Sequence, residues 1–369
     1  MKQTSPEFAA VKNPAFTFIV NPISGSSEAQ HVRKEVYRLQ HKVEDPRLQL
    51  ALKNLLSFLG IPKNLFEFNP TFLETDADGD WLKQIRSPWA QLADVGVAQH
   101  LSGAHKNIDL HLYIVVGGDG TLSQLNGLLQ SAEFTGRALI IPFFGGRGND
   151  FAKSIYPNKK RGDCAAVTSF DTLVNYWADA TVLKQYVPQV VPIDAVQIND
   201  RYLLNMASLG YGGGVVENTS AQKRASSLLS GTSLVYQIEG VRSYMNTPEY
   251  TVEFISASET FEAVVWGCFI GNGKANGHGL YWTPKASLSD GLFDIVWFRR
   301  PSLLPMLQTI QNVKQQKPPS ATHRYEQWSQ ATLRCKTPIP IEMDGEFVGR
   351  FSELEFTVRQ SLRVWTLHI

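Results

Sequence analysis

The residues best suited to chemistry gather in one short stretch. Leu112 to Val116 is a continuous apolar run rich in β-branched side chains, and it empties directly into Gly117, Gly118, Asp119, Gly120 and Thr121. Glycines placed this way let the chain turn sharply and leave backbone N–H groups open to a phosphate. Thr121 then opens a helical pattern through Leu122, Leu125, Leu128 and Leu129, whose N-terminal dipole favours an anion. Asp119 is the informative residue. A carboxylate beside phosphates repels them unless a cation lies between or it accepts a proton, so the turn points to metal-dependent or acid–base chemistry. Gly-rich turns after strands are common, and Asp-Gly is an ordinary turn dipeptide, so this stretch alone leaves a plain turn open.

Two further stretches repeat the arrangement. Phe18 to Val20 runs into Asn21, Pro22, Ser24 and Gly25, followed by a helical pattern from Glu28 to Leu39. Ala138 to Phe144 runs into Gly145, Gly146, Arg147, Gly148, Asn149 and Asp150. The elements that must position these turns are buried strands alternating with helices, which predicts an open α/β sheet. In such sheets the ligand sits beyond the carboxyl ends of the strands.

Asn21-Pro-x-Ser24-Gly25, Gly117 to Thr121 and Gly146-x-Gly148-Asn149-Asp150-Phe151-Ala152, in this order and approximate spacing, resemble the catalytic-domain signatures of diacylglycerol kinases, sphingosine kinases and their soluble bacterial relatives. The resemblance continues through Gly271-Asn272-Gly273, Gly277 and Gly279, Pro284 and Ala286, Asp290-Gly291 with Asp294, and Asp344-Gly345-Glu346, so it spans the chain from about Ala15 onward. It implies two domains. An N-terminal open Rossmann-like α/β nucleotide-binding domain would be joined to a mainly antiparallel β-sandwich C-terminal domain, with the active site in the cleft between them.

The rest of the sequence fits that frame. The 369 residues suffice for two domains, and 35 basic against 34 acidic residues give a net charge of +1, which excludes a generally nucleic-acid-binding surface. Cys164, Cys268 and Cys335 are far apart, lack metal-ligand spacing and leave an odd thiol, which favours a reducing cytoplasm. No apolar stretch approaches the ~18 residues of a membrane span, so a lipid substrate would be met by peripheral association with the membrane surface. Residues 1–13 read as a mobile polar leader. Residues 14–188, with 355–369 returning by the resemblance, form the nucleotide-binding domain, and 41–109 is an insertion with a helix over Leu48 to Leu59. A helical pattern follows from Cys164 to Trp177. Residues 189–354 turn to strands and turns. Expected there are strands at Phe261–Ile270, Ala331–Lys336 and Ile339–Met343 and helices over Leu228–Tyr244 and Leu303–Val313, with Leu354–Val358 and Leu362–Leu367 as closing strands.

Thr75 to Asp80 lacks the closing Glu of a calcium loop and reads as a solvated turn. His100, His105 and His111 are irregularly spaced and read as surface or strand-edge residues. Lys159, Lys160 and Arg161 form a solvated charge run or a contact for acidic lipid headgroups.

The resemblance assigns roles residue by residue. ATP would meet Asn21, Ser24, Gly25, Gly117, Gly118, Gly120, Thr121, Gly146, Gly148, Asn149 and Glu346. Asp119 and Asp150 would hold magnesium, directly or through water. The base that deprotonates a lipid hydroxyl is Asp344, with Asp119 as its rival by analogy with the sphingosine-kinase branch. Asp290, with Ser287 and Leu292, matches a structural-cation loop of bacterial relatives, and a hairpin turn without metal explains it as well.

Three departures stand out. Arg147 replaces the usual Thr, Ser123-Gln124 the usual Asn-Glu, and Gly212 an Asp that sphingosine kinases use for a lipid amine. The last counts against an aminoalcohol and fits a neutral diacylglycerol-like alcohol. The leading function is thus a cytoplasmic, magnesium- and ATP-dependent lipid kinase, with a homodimer compatible. Its alternatives are a catalytically degenerate lipid- or nucleotide-binding protein and an NAD-kinase-like dinucleotide kinase, which shares Gly-Gly-Asp-Gly alone.

Overall fold

A continuous run of β-branched and aromatic residues can be buried on both faces only as a strand covered by helices, and this governs the first half of the chain. The computed structural model describes residues 14–21, 46–58, 61, 71–75, 110–130, 138–144, 148–155, 178, 187–225, 233–277, 279–319 and 323–368. The chain divides into two units. One comprises Met1–Ala152, Tyr156–Ile193 and Ser361–Ile369, the other Lys153–Ile155 and Asp194–Gln360.

In the first unit, β1 (Pro14–Val20), β2 (Thr71–Glu74), β3 (Leu110–Gly117) and β4 (Ala138–Phe144) form a parallel sheet in the order β2-β1-β3-β4. The end of β14 (Glu346–His368) adds a further parallel strand, with Arg363 opposite Leu139 and Val364 opposite Ile140. Phe18, Ile19, Leu112, Tyr113, Ile114 and Val115 are buried, as a doubly covered sheet requires. Helix α1 (Pro46–Phe58) buries Ala51, Leu52, Leu55 and Leu56 on one stripe, and the N–H of Ile61 closes it on the Leu56 carbonyl. Two short helices follow strand ends: α2 (Asp119–Leu129) after β3, and α3 (Asp150–Ile155) after β4. The expected helices at 28–39 and 164–177 lie outside the described residues.

The second unit is antiparallel. It contains β5 (Val187–Ile198, entering from the first unit), β6 (Arg201–Leu203), β7 (Met206–Gly210), β8 (Tyr250–Ser256), β9 (Thr260–Val265), β10 (Gly267–Gly271), β11 (Phe293–Phe298), β12 (His323–Trp328), β13 (Gln330–Met343) and most of β14. Its main sheet runs β12-β11-β10-β7-β13-β14, with β8 on β13 and β5 on β14. Alternation sorts the side chains of β11: Phe293, Ile295 and Trp297 join the larger core with Phe254 and Trp328. Val296 and Phe298 face the other way, into a cluster with Trp266, Phe269, Trp282 and Met306. Helix α4 (Tyr211–Ala225), α5 (Ser233–Asn246) and α6 (Leu303–Lys314) complete this unit, and Tyr211, Tyr244 and Ile310 pack on that second cluster. This α/β architecture, a parallel sheet followed by an antiparallel sandwich-like domain, is the fold class the sequence predicts.

Four details differ from the sequence reading. Residues 211–225 form a helix where none was expected, and the helix after it is described over Ser233–Asn246, with 226–232 outside the described residues. The strand expected over Phe261–Ile270 breaks at Trp266, whose carbonyl accepts the N–H of Tyr211. The two strands expected in 331–343 are one, β13, carrying a register shift between Arg334 and Ile339. The last two expected strands are also one, because β14 serves a partner in each unit.

Candidate functional site

In the first unit the strand order reverses between β1 and β3, and in open parallel sheets the crevice for a ligand opens at such a point beyond the carboxyl ends of the strands. Asn21 lies there. Its N–H bonds the Val116 carbonyl at 2.9 Å, and its side-chain amide donates to the Thr121 hydroxyl at 2.9 Å. The ends of β1 and β3 and the first turn of α2 are thereby tied together. Gly117 is required for this, since a Cβ there would sit 2.7 Å from the Thr121 Oγ1. Gly118 is the N-cap of α2 and has no side chain to cap with, so no side-chain cap at that position competes with an anion for the helix N-terminus.

Asp119 is engaged by the backbone of the next helix. Its Oδ2 accepts the N–H of Asp150 and its Oδ1 the N–H of Phe151, each at 3.0 Å, so it holds the first turn of α3. The two glycine turns are fixed to each other by this carboxylate. Gly148 lies between the acids: a Cβ on it would be 3.3 Å from Asp119 Oδ2 and 3.3 Å from Asp150 Oδ2. Asn149 reaches the start of α3 through a left-handed backbone, with φ 48°, which Asn tolerates better than most residues. Ser24, Gly25, Gly146 and Arg147 lie outside the described residues. Among those described, no group of three or more His, Cys, Asp or Glu side chains could hold a metal.

The second unit carries Asp344. Asp344 and Gly345 both have positive φ, 49° and 87°, and connect Met343 to Glu346 as a two-residue hairpin. The turn is not plain. The Asp344 Oδ1 accepts the N–H groups of Asn205 and Met206 at 2.9 and 3.1 Å, and its Oδ2 accepts that of Leu204 at 3.0 Å. The carboxylate therefore clamps the 204–206 bend that separates β6 from β7. Glu346, on the far side of the turn, is exposed.

Sequence reasoning missed the groups beneath this turn. Glu342 is buried, and its Oε1 accepts the Ser208 hydroxyl and the Asn276 amide at 2.7 and 2.8 Å, while its Oε2 accepts the Gly345 N–H at 2.9 Å. Burial, only partly offset by these bonds, pushes its carboxyl up to about 7. Asn205 is a second hub: its amide donates to the Ala275 carbonyl at 2.7 Å and its Oδ1 accepts the Ser154 hydroxyl. Asn272, within the matched Gly-Asn-Gly, donates to the carbonyls of Asp194 and Leu204. No spacing signals these partners, because, Gly345 aside, they lie 51 to 134 residues apart.

Gly212, where a carboxylate was missed in the sequence, has a structural reason to be bare. A Cβ there would meet the Ser208 Oγ at 2.2 Å, so the Ser208–Glu342 pair occupies the space.

Asp290 is exposed and accepts the Leu292 N–H at 3.1 Å. Asp194 accepts the neighbouring Gly291 N–H, and burial, aided by the charge of Asp290, raises its carboxyl above the usual range. His111 bonds the Thr17 hydroxyl through Nε2 and stacks on Tyr113. Cys268 and Cys335 are free and buried.

Comparison with known proteins accords with this architecture. Residues 207–366 match the family described as the YegS C-terminal NAD kinase beta sandwich-like domain. The chain is 24% identical over 301 residues to a "Probable lipid kinase YegS-like" of Alcanivorax borkumensis, covering 78% of this chain and 89% of that one. A protein of the same name from Pseudomonas putida is 28% identical over 234 residues, 63% of this chain and 68% of its own. The fold is shared with a crystal structure of a diacylglycerol kinase from Bacillus anthracis, at a TM-score of 0.55 and 16% identity, over 96% of this chain and 97% of that one.

Proposed function

We propose that this chain is a lipid kinase, which transfers the terminal phosphoryl group of ATP to a hydroxyl of a diacylglycerol-like lipid. The observation that carries the proposal is the turn at the β1/β3 reversal, where a helix N-terminus without a side-chain cap stands beside a carboxylate that also fixes the start of the next helix. The similarity to YegS-like lipid kinases supports the choice of a lipid acceptor.

Phosphoryl transfer asks a protein mainly to position groups and balance charge. Asn21, Gly117, Gly118, Gly120 and Thr121 would seat the nucleotide phosphates, with Ser24, Gly25, Gly146, Gly148, Asn149 and Glu346 as further contacts. Two carboxylates flanking Gly148 form a hard-oxygen donor set that fits magnesium, which commonly takes one or two carboxylates and leaves its other positions to water and phosphate. Asp119 and Asp150 would hold it, and its charge would offset that of the phosphates. Asp344 would accept the hydroxyl proton as the lipid oxygen bonds to the γ-phosphorus and the bond to the departing ADP oxygen breaks. Asp119 is the alternative base. A cation at Asp290 would relieve the repulsion it exerts on buried Asp194. The enzyme would act from the cytoplasm on the surface of the membrane; among the described residues no helix is long and apolar enough to cross one.

The test is purified protein with labelled ATP, magnesium and a panel of lipids in mixed micelles, beside NAD as a competing acceptor. Label in a chloroform-soluble product, abolished by chelation of magnesium, is the expected result. Label on NAD, or nucleotide binding without turnover on any lipid, would overturn the proposal.

A further inference from the structure

Helix α5 presents Ile238, Val241 and Met245 to solvent, spaced three and four residues apart on one stripe, and the last two are each 67% exposed. Helix α6 presents Leu303, Leu304 and Leu307 in its first turns, with Leu304 78% exposed, although its opposite face already buries Met306, Thr309 and Val313. Scattered exposed leucines need no explanation, but six large apolar side chains on two neighbouring helices do. Two bonds join the end of α5 to the segment leading into α6. The Tyr244 hydroxyl donates to the Pro301 carbonyl at 2.9 Å, and the Arg300 guanidinium donates to the Thr247 carbonyl. Met245 and Leu303 thus flank the same seam.

The charge around the seam is outwardly basic. The side chains of Arg242 and Arg299 are 61% and 69% exposed, whereas their acidic partners Glu239 and Glu249 are 1% and 33% exposed. Arg300 joins them at the surface. No acidic residue stands in the first turn of α6. A second copy docking by a two-fold operation would set these arginines against their own equivalents. An acidic lipid surface would receive both the apolar residues and the guanidinium groups, whose apolar stems can lie along it. Trp282 is buried and stacked on Phe269 at 3.9 Å between ring centroids, so it takes no part in this surface.

We infer that the α5–α6 seam is the face by which this protein docks on an anionic bilayer, with Ile238, Val241, Met245, Leu303, Leu304 and Leu307 entering the acyl boundary and Arg242, Arg299 and Arg300 meeting headgroup phosphates. The choice of a bilayer as occupant rests on the lipid-kinase reading. The site itself would be separate from the residues that handle the nucleotide.

The test is co-sedimentation of the full chain with vesicles of phosphatidylcholine, pure or with about 30 mol% phosphatidylglycerol, at low and raised salt. The wild-type chain should pellet with the anionic vesicles, and V241D/L304D should bind at least about tenfold less. R242Q/R299Q should lose binding on anionic vesicles only. Equal binding by V241D/L304D and wild type would overturn the inference, as would a wild-type chain that ignores both vesicles. So would a wild-type dimer that these aspartates convert to monomer without any effect on vesicle binding. The phosphorylation of short-chain diacylglycerol in detergent micelles separates the two proposals. If V241D/L304D keeps that rate while losing vesicles, both stand. If no chain phosphorylates any lipid but the vesicle effect persists, the docking face stands and the kinase reading falls.

Discussion

Replacing Asp344 by Asn is the usual way to silence a candidate base, and here it should also loosen the fold. The carboxylate takes three backbone N–H groups from Leu204, Asn205 and Met206, all buried. An Asn side chain can keep the two donors on Oδ1 through its carbonyl oxygen, but its NH2 group would then face the N–H of Leu204, donor against donor. Leaving a buried donor unmade costs about 1–3 kcal/mol, and turning two charged bonds into neutral ones removes roughly another 1 kcal/mol. The expected loss is therefore about 2–4 kcal/mol, or a Tm lowered by about 4–16 °C at roughly 2–4 °C per kcal/mol. Asp344→Ala should cost more, since it frees all three donors and puts Ala at a positive φ. Thermal melts of purified variants by calorimetry would read this, alongside turnover measured well below both midpoints. A Tm for D344N within about 1 °C of wild type would refute the clamp. A rate that collapses without any such shift would mark Asp344 as purely catalytic.

Two further outcomes are expected. Glu342, at about 7 in the folded chain against 4.5 as its ordinary value, holds its proton in the native state over a range where the unfolded chain has lost it. Its contribution is fully present below about pH 4.5 and is lost as pH rises through about 7, by up to ~3 kcal/mol, so wild-type Tm should fall relative to E342Q between about pH 5 and pH 8. Parallel Tm profiles for the two chains would remove Glu342 as the titrating group. For glycines, the contrast between G213A and G127A is diagnostic. A Cβ on Gly213 would lie 2.3 Å from the Pro340 carbonyl oxygen, whereas nothing lies within 4 Å of one on Gly127. G213A should destabilise by about 1–3 kcal/mol and G127A stabilise by about 0.5–1 kcal/mol in urea unfolding; equal effects would contradict the packing of α4 on β13.

The parts of the fold legible in the sequence are those written in local pattern. The run from Leu112 to Val116 can be little other than a covered strand, and glycines immediately after it signal a turn that leaves N–H groups open. Helix α4 was illegible for a related reason. Three consecutive glycines, Gly212, Gly213 and Gly214, carry low helix propensity, yet two of them are bare so that a helix can press against Ser208 and Pro340. Asp-Gly favours a two-residue hairpin, and at Asp344-Gly345 the structure contains that turn. What could not be read was its support, since Glu342, Ser208 and Asn205 acquire meaning only when strands far apart in sequence are paired. Trp266 interrupts a strand because its carbonyl is spent on Tyr211, a long-range fact that propensity does not carry.

The bond from the Gly345 N–H to Glu342 has a consequence for the lifetime of the molecule. Among aspartyl sequences Asp-Gly is the one most open to spontaneous ageing, in which the glycine nitrogen attacks the aspartyl side chain, closes a cyclic imide with loss of water and reopens as isoaspartate. Here that nitrogen is turned toward a different acid, and the aspartyl oxygens are engaged by the backbone at 204–206. The arrangement that shapes the turn also commits nucleophile and electrophile to other partners, so folding slows a reaction that the unfolded chain would undergo.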